Sequence, residues 1–177
     1  MIGGIDALAG GNGNDGFFFG ADGNLTAADR IDGGAGIDTI ALRGNYVGAD
    51  ALEGGAGADT YWYRSAAEST SLGHDSITGF DSSEDRIDAP GGARTLSQSG
   101  SGSLSTASFD ADLAAGLDGV LGAGQAALFA ASAGSLAGRL FAVIDVNGSD
   151  GYQAGEDLVI ELVAPVLPID PVTPVIV

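Results

Sequence analysis

Aspartate residues recur at one position of a nine-residue sequence pattern. Three full copies of Gly-Gly-x-Gly-x-Asp-x-(large apolar)-x begin at Gly10, Gly33 and Gly54. Five weaker copies keep the aspartate: MIGGIDALA, NLTAADRID, NYVGADALE, TSLGHDSIT and FDSSEDRID. The sixth position therefore reads Asp6, Asp15, Asp29, Asp38, Asp50, Asp59, Asp75 and Asp85. Carboxylates repeated at a fixed interval supply the oxygen ligands that a hard cation such as Ca²⁺ prefers.

A bulky apolar residue stands two places after each aspartate, at the eighth position of the pattern. These residues are Leu8, Phe17, Ile31, Ile40, Leu52, Tyr61, Ile77 and Ile87. A large apolar residue that follows a glycine-rich stretch at a fixed distance predicts a short strand with one side chain pointing inward, connected by a tight turn. Two such units make one coil of a solenoid whose parallel strands form two sheets. We therefore predict an all-β fold, a parallel β-roll, with coils at 1–18, 24–41, 45–62 and 70–88.

Consecutive repeats should turn on opposite edges of this roll. The three full Gly-Gly turns come second in their coils, so they should stack on one edge. We expect well-formed calcium sites on that edge, using Asp15, Asp38 and Asp59. The other edge, near Asp6, Asp29, Asp50 and Asp75, should carry weaker sites or none. Carboxylates stacked one strand spacing apart (~4.8 Å) repel each other unless cations lie between them, so we expect metal binding to be coupled to folding.

Two simpler interpretations of these glycines are less favoured. Ordinary Asp-Gly turns in a β-domain would not share a nine-residue register. The stretch 11–16 matches the GxGxxG pattern of dinucleotide-binding proteins, but three phenylalanines follow it instead of a helix. Without a strand–turn–helix context that match is accidental.

The full nonapeptides resemble those of repeat-in-toxin (RTX) proteins, which type I systems secrete. The stretch 74–88, HDSITGFDSSEDRID, is similar to the end of the β-roll in serralysin-type exoproteins. The resemblance covers about the first half of the chain. It implies several calcium ions held by turn carbonyls and sixth-position aspartates, and folding after export. Besides the eight aspartates, the expected ligands are Asp88 and the first and third residues of the full repeats: Gly10, Asn12, Gly33, Ala35, Gly54 and Ala56.

The second half of the chain should cap the roll. Residues 91–107 are rich in glycine and serine and are typical of a linker or a long loop. The spacing of apolar residues predicts a helix over 108–121, and an alanine-rich stretch predicts a second helix over 125–132. Residues 140–146 and 157–163 are expected to form strands of a hairpin. We therefore divide the chain into a roll (1–89), a cap with one or two short helices (90–163) and a tail (164–177).

A loop between those two strands has the spacing of a calcium loop. Asp145, Asn147 and Glu156 occupy positions 1, 3 and 12 of an EF-hand-like pattern. The sixth position is Asp150 instead of glycine, and no helices flank the loop, so it is not an EF-hand. A hairpin turn without metal explains the same residues. Both interpretations stay open.

The tail carries four prolines and ends in Pro-Val-Ile-Val. Proline disfavours helix and strand interiors, so we expect this segment to be extended or disordered. A C-terminus that ends in a short apolar group resembles type I secretion signals. The secretion machinery is accordingly the expected partner of this end of the chain.

Composition excludes several functional classes. The formal charge is −18 in 177 residues, which repels nucleic acid and anionic membrane surfaces. The chain contains no cysteine, so it forms neither disulfides nor thiolate metal sites. The HExxH motif of metalloproteases and the GxSxG motif of lipases are both absent from the sequence. We therefore predict that this chain is not an enzyme.

The sequence thus predicts a monomeric, extracellular calcium-binding RTX module that folds on binding Ca²⁺ after type I secretion. It would form the C-terminal part of a larger protein. We expect it to bind calcium ions and not to insert into a membrane. The alternative is a structural or adhesive cell-surface protein that assembles through calcium. In that case exposed aromatic residues such as Tyr46, Trp62 and Tyr63 would supply contacts between molecules.

Overall fold

A computed structural model describes residues 6–19, 29–42, 48–96, 98–169 and 176–177. Within these ranges the chain forms strands, one α-helix and two short 3₁₀ turns. The strands are β1 (Ala7–Asn12), β2 (Gly16–Phe19), β3 (Arg30–Ala35), β4 (Thr39–Leu42), β5 (Ala51–Ala56), β6 (Thr60–Tyr63), β7 (Asp75–Thr78), β8 (Arg86–Asp88), β9 (Gln98–Ser103), β10 (Ala126–Ala133), β11 (Leu140–Ile144) and β12 (Leu158–Val163). Helix α1 spans Phe109–Leu117, and the 3₁₀ turns span Ala66–Glu68 and Ser71–Gly73.

The first eight strands alternate between two parallel sheets, which confirms the predicted β-roll. Odd-numbered strands lie side by side in the order β1-β3-β5-β7, and even-numbered strands in the order β2-β4-β6-β8. Every pairing within these two rows is parallel. One coil therefore consists of two nonapeptides, one in each sheet.

Eighth-position side chains from both sheets fill the space between them. In one sheet Leu8, Ile31, Leu52 and Ile77 are in register, and in the other Phe17, Ile40, Tyr61 and Ile87 are. All but Leu8 and Phe17 are almost completely buried, and those two pack against the same core. Burial of one apolar row per sheet is what fixes the register of the coils, since a shift of one residue would turn each row outward.

Glycines at the second and fourth positions of the full repeats allow the coils to stack closely. Gly34 and Gly36 have φ values of +104° and +146°. A Cβ atom at either position would collide with a backbone carbonyl of the preceding coil, at Gly11 or Gly13. Both the backbone conformation and the close approach therefore require glycine.

The cap continues the larger sheet of the roll. Strand β12 pairs in parallel with β7, and β11, β10 and β9 follow in that order. The two faces of this extension belong to different cores. One face joins the core of the roll, and the other packs with α1 in a second cluster that includes Phe109, Phe129 and Phe141.

Two predictions for the cap were wrong. The stretch 125–132, predicted to be helical, is strand β10, which pairs with β9 and β11. Alanines favour a helix locally, but here Ala126 faces one core and Ala127 the other, so pairing in a sheet buried on both faces prevails. The predicted linker at 91–107 contains β9. The predicted helix at 108–121 is shorter than expected, as α1 ends at Leu117.

The last two residues of the chain pair with the roll. Ile176 bridges to Ile87 of β8 and to Arg94, and its side chain is completely buried. The rest of the predicted extended tail is described only up to Ile169, because residues 170–175 lie outside the described ranges. In the part of the chain described here, no helix is long and apolar enough to cross a membrane.

Candidate metal-binding edges of the roll

Sixth-position aspartates form a hydrogen-bonded column along the edge where the full Gly-Gly turns stack. The backbone N–H of each aspartate donates to Oδ1 of the aspartate one coil further on. The donor–acceptor distances are 2.8 Å from Asp15 to Asp38, 2.9 Å from Asp38 to Asp59 and 3.0 Å from Asp59 to Asp85. The stacking strands thus place one carboxylate above the next, as the repeat spacing predicts.

The opposite edge carries a second column with the same bonding. Here the N–H groups of Asp6, Asp29 and Asp50 donate to Oδ1 of the next aspartate, at 2.6, 2.9 and 2.8 Å, and the column ends at Asp75. This edge was expected to hold weaker sites, and the aspartate bonding does not distinguish the two edges. The loops before Asp29 and Asp50 fall largely outside the described residues, so the expected difference stays a prediction.

The second carboxylate oxygen of these aspartates is buried and has no hydrogen-bond donor. This holds for Oδ2 of seven described residues: Asp6, Asp15, Asp29, Asp38, Asp50, Asp59 and Asp75. At Asp75 the nearby hydroxyl of Tyr63 acts on the carboxyl group, but burial outweighs it and still raises the pKa. The last member of the first column differs, because the N–H of Asp81 donates to Oδ2 of Asp85 at 2.9 Å. A buried anionic oxygen without a donor costs folding free energy unless a cation or a proton compensates it. Each column therefore needs positive charge at regular intervals.

The first glycine of a full repeat lies where two oxygens converge. A Cβ atom built on Gly10 would stand 2.5 Å from both Oδ2 of Asp15 and the carbonyl oxygen of Gly33. The equivalent point at Gly33 is approached in the same way by Oδ2 of Asp38 and the carbonyl oxygen of Gly54. These distances are shorter than a real Cβ atom tolerates, so both positions require glycine. Glycine therefore lets one carboxylate oxygen and one carbonyl oxygen approach the same backbone position.

Carbonyl groups at the third position of the full repeats already accept one backbone hydrogen bond each. The carbonyl oxygen of Ala35 accepts the N–H of Gly13 at 2.7 Å, and that of Ala56 accepts the N–H of Gly36 at 2.8 Å. Asn12 occupies the matching position in β1 and pairs with Ala35. Because a carbonyl oxygen has two lone pairs, each of these acceptors retains capacity for one further bond.

Burial and mutual repulsion make several of these carboxyl groups weak acids. Burial raises the pKa of Asp50 to about 6, with a contribution from the charge of Asp29. Burial also raises the pKa of Asp85 to about 6, and that of Asp75 well above its usual value. The pKa of Asp59 is raised for the same reason. The folded chain resists carrying these charges when no cation accompanies them.

Asp88 lies apart from both columns. It ends β8 and pairs with Trp62 of β6, one residue beyond the inward-facing Ile87, so its side chain is on the outer face of the second sheet. The structure does not bring this predicted ligand together with the sixth-position aspartates. Tyr63, expected to be exposed, is buried in the core of the roll, whereas Trp62 is partly exposed. Tyr46 lies outside the described residues.

The residues of the calcium-like loop in the cap are hydrogen bonded to each other. Oδ1 of Asp145 accepts the N–H groups of Asn147 and Gly148, at 3.0 and 2.8 Å. The side-chain amide of Asn147 donates to Oε2 of the exposed Glu156 at 2.9 Å. The loop thus brings its three predicted ligands near each other, and their role in metal binding stays a prediction.

Among the described residues, no three acidic or histidine side chains cluster tightly enough to hold a metal ion by themselves. This agrees with the geometry of the columns, in which neighbouring carboxylates stack one per coil. Any cation bound there needs main-chain carbonyl oxygens as additional ligands, which Ca²⁺ accepts readily.

A family model matches the part of the chain that forms the roll. The model for the C-terminal region of M10 peptidases, serralysin C terminal, matches residues 4–101, more than half of the chain. The chain belongs to the serralysin C-terminal family. The resemblance inferred from the nonapeptides is thereby confirmed. A search of curated proteins gives no significant match.

Membership of the serralysin C-terminal family places the chain among calcium-binding RTX β-rolls of secreted proteins. The matched region is the non-catalytic C-terminal part of a peptidase family. It covers the four coils from residue 4 onward, both aspartate columns and the first part of β9.

Three residues that matter for the columns or the cap loop were not predicted from the sequence. Asp81 donates its N–H to Asp85 and closes the first column. Ser69 accepts the N–H of Asp75 at 2.8 Å and supports the second. Asp157 is a buried acid that directly follows the predicted ligand Glu156. Asp81 lies in the stretch that resembles the serralysin roll exit, so that signal was available; the other two depend on contacts between distant residues.

Proposed function

We propose that this chain is a calcium-dependent folding module of a secreted protein, in which ions bind along the two edges of the roll. The observation that carries the proposal is the set of buried Oδ2 atoms without donors, one in each of seven stacked aspartates. A structure that buries so many anionic oxygens needs cations to be stable.

Calcium is the cation that fits these edges. The available ligands are carboxylate and main-chain carbonyl oxygens, and one of each approaches the backbone at Gly10, which suits the oxygen ligands that calcium prefers. Cysteine is absent from the chain and its single histidine, His74, lies outside the columns, so the softer metals lack their preferred ligands. Magnesium favours octahedral sites with shorter bonds and keeps its water.

On this proposal the ions would be held by the sixth-position aspartates with carbonyl groups of the first and third positions. The first edge would use Asp15, Asp38 and Asp59 with Gly10, Asn12, Gly33, Ala35, Gly54 and Ala56. The second edge would use Asp6, Asp29, Asp50 and Asp75. Calcium would supply the charge that lets these carboxylates stack, while the chain's own strands and turns set their spacing.

Folding would then follow the calcium concentration. A chain with a net charge of −18 repels itself when no cation is bound. Where calcium is scarce the repeats stay expanded, which suits passage through a secretion channel. Outside the cell, calcium binding contributes its free energy to folding. We infer that the chain follows a type I route with its C-terminus as the signal, and that it is the non-catalytic, C-terminal module of a larger protein.

A calcium titration of the purified chain tests this proposal. Far-ultraviolet circular dichroism in excess chelator should show little β-structure, and the β-signal should rise cooperatively as free Ca²⁺ increases. Equal concentrations of Mg²⁺ should not produce it. A chain that is fully folded in chelator, or that responds equally to both ions, would contradict the proposal.

A further inference from the structure

Two acidic residues face each other at the end of the cap hairpin. Strands β11 and β12 are antiparallel, and their terminal pair is Ile144 with Leu158. One step further in this register, Asp145 lies opposite Asp157. Directly opposed residues of an antiparallel pair have Cβ atoms about 4.5–5.5 Å apart, and like charges in such a pair destabilise the sheet. The hairpin thus places two carboxylates side by side.

Both carboxylates are buried, and one of them lacks a donor. Asp145 and Asp157 have no exposed surface. Both oxygens of Asp145 accept backbone N–H groups, those of Asn147 and Gly148 at Oδ1 and that of Gly124 at Oδ2. Oδ2 of Asp157 accepts the N–H of Gln153 at 2.7 Å, but its Oδ1 has no partner. An anionic oxygen is therefore left buried beside a second anion.

The neighbouring cation does not compensate Asp157. Arg94 is near enough for its charge to act on Asp145, but its Nε and Nη2 atoms donate to the carbonyls of Gly124 and Pro90, at 2.8 and 2.6 Å. The backbone N–H of Val146 also acts on the Asp157 carboxyl group, and the Asp145 carboxyl group is near enough to interact with it directly. Asp157 therefore has no positively charged partner of its own among the described side chains.

We propose that Asp145 and Asp157 together hold a divalent cation, calcium in the secreted protein, at a cap site separate from the roll. The surrounding loop offers only oxygen ligands, which suits calcium. Asp157 takes the place that sequence spacing assigned to Glu156, because Asp157 is buried and faces Asp145, whereas Glu156 is exposed and bonded to Asn147. The inference rests on the proposed function for the identity of the ion, but its ligands are independent of the columns.

Counting bound ions in the full chain tests the site. Native mass spectrometry after dialysis against Ca²⁺ gives the number of ions per chain. Asp157→Asn should bind one ion fewer than the wild type, and so should Asp145→Asn. The double variant should also lose one ion and no more, since both residues would serve the same site. Circular dichroism at saturating calcium verifies that the roll is folded in each variant.

The matched control is Asp150→Asn, in the same loop but at the surface. Asp150 accepts the N–H of Ala123 through Oδ1 at 2.8 Å, a bond that asparagine can retain, so this variant should keep the wild-type number of ions. If Asp157→Asn also keeps that number and resists urea as well as or better than the wild type, a proton bridges the pair and the cap site is refuted.

A failure of the wider proposal would look different. If the wild-type chain binds no calcium, the proposed function of the whole module is wrong. If it binds calcium, and ions are lost from the roll variant Asp38→Asn but from neither Asp145→Asn nor Asp157→Asn, only the cap site is wrong.

Discussion

Ser69 links the last aspartate of the second column to the cap. The backbone N–H of Asp75 donates to Oγ of Ser69 at 2.8 Å, and that hydroxyl donates to the carbonyl of Val159 in β12 at 2.5 Å. The N–H of Val159 in turn donates to the carbonyl of Ser69 at 2.9 Å. All of this is buried. The hydroxyl of Ser69 therefore adds a buried link between the second column and the cap, beside the pairing of β7 with β12.

Replacing Ser69 by alanine should lower the stability of the calcium-loaded chain. The substitution leaves the N–H of Asp75 and the carbonyl of Val159 without their partner in the core, which costs about 1–3 kcal/mol. Urea unfolding at saturating calcium measures the change. Ser132→Ala is the control, since Ser132 is exposed and bonds only the carbonyl of Gly102 at 3.1 Å. Equal stability of the two variants would mean that this hydroxyl does not couple roll and cap.

Gly33→Ala should weaken calcium binding on the first edge. The added methyl group would clash with Oδ2 of Asp38 and the carbonyl oxygen of Gly54 and push them out of position. Relieving such a clash costs about 1–3 kcal/mol, so the calcium concentration at half-folding should rise about tenfold. Circular dichroism during a calcium titration measures this midpoint. Gly73→Ala is the matched control, because a methyl group there meets no atom within 4 Å. A midpoint that is unchanged in both variants would show that neither of these two oxygens is a ligand of the ion.

The sequence predicted the roll well because its contacts repeat. Asp38 stacks on Asp59 and Ile40 on Tyr61 for the same reason, a shared nine-residue register. Each coil repeats the geometry of its neighbour, so a local pattern determines a nonlocal contact.

The cap has no such repeat, and predictions there depended on local propensity. Alanines at 126 and 127 suggested a helix, but pairing with β9 and β11 determines their conformation. The opposition of Asp145 and Asp157 follows from the hairpin register, which spacing along the chain does not reveal. The pairing of Ile176 with Ile87 joins residues far apart in the sequence.

Without calcium, the chain should fold better at pH 5 than at pH 8. In the folded state the pKa values of Asp50 and Asp85 are raised from 3.8 to about 6. Between roughly pH 4 and 6 the folded chain therefore binds more protons than the unfolded chain, and its stability falls as the pH rises through this window. Saturating calcium should reverse the trend, because the ligands must be deprotonated to bind it.

Circular dichroism in calcium-free buffer across pH 4–8 measures this dependence. Asp50→Asn supplies the control, since the amide carries no charge at any of these pH values. This variant should show a smaller loss of structure between pH 5 and 8 than the wild type. A calcium-free chain whose folded fraction increases with pH would be inconsistent with protonated columns.

Ile176→Ala should destabilise the folded chain although it lies next to the C-terminal residue. Its side chain is fully buried against the roll, and its N–H and carbonyl groups both bond to Arg94, at 3.1 and 2.8 Å. Truncating a buried isoleucine costs about 2–5 kcal/mol. Val177→Ala is the control, because Val177 is 42% exposed and surface changes stay within about 0.5 kcal/mol. Urea unfolding at saturating calcium distinguishes the two, and a loss below about 0.5 kcal/mol for Ile176→Ala would mean that the C-terminus does not stabilise the end of the roll.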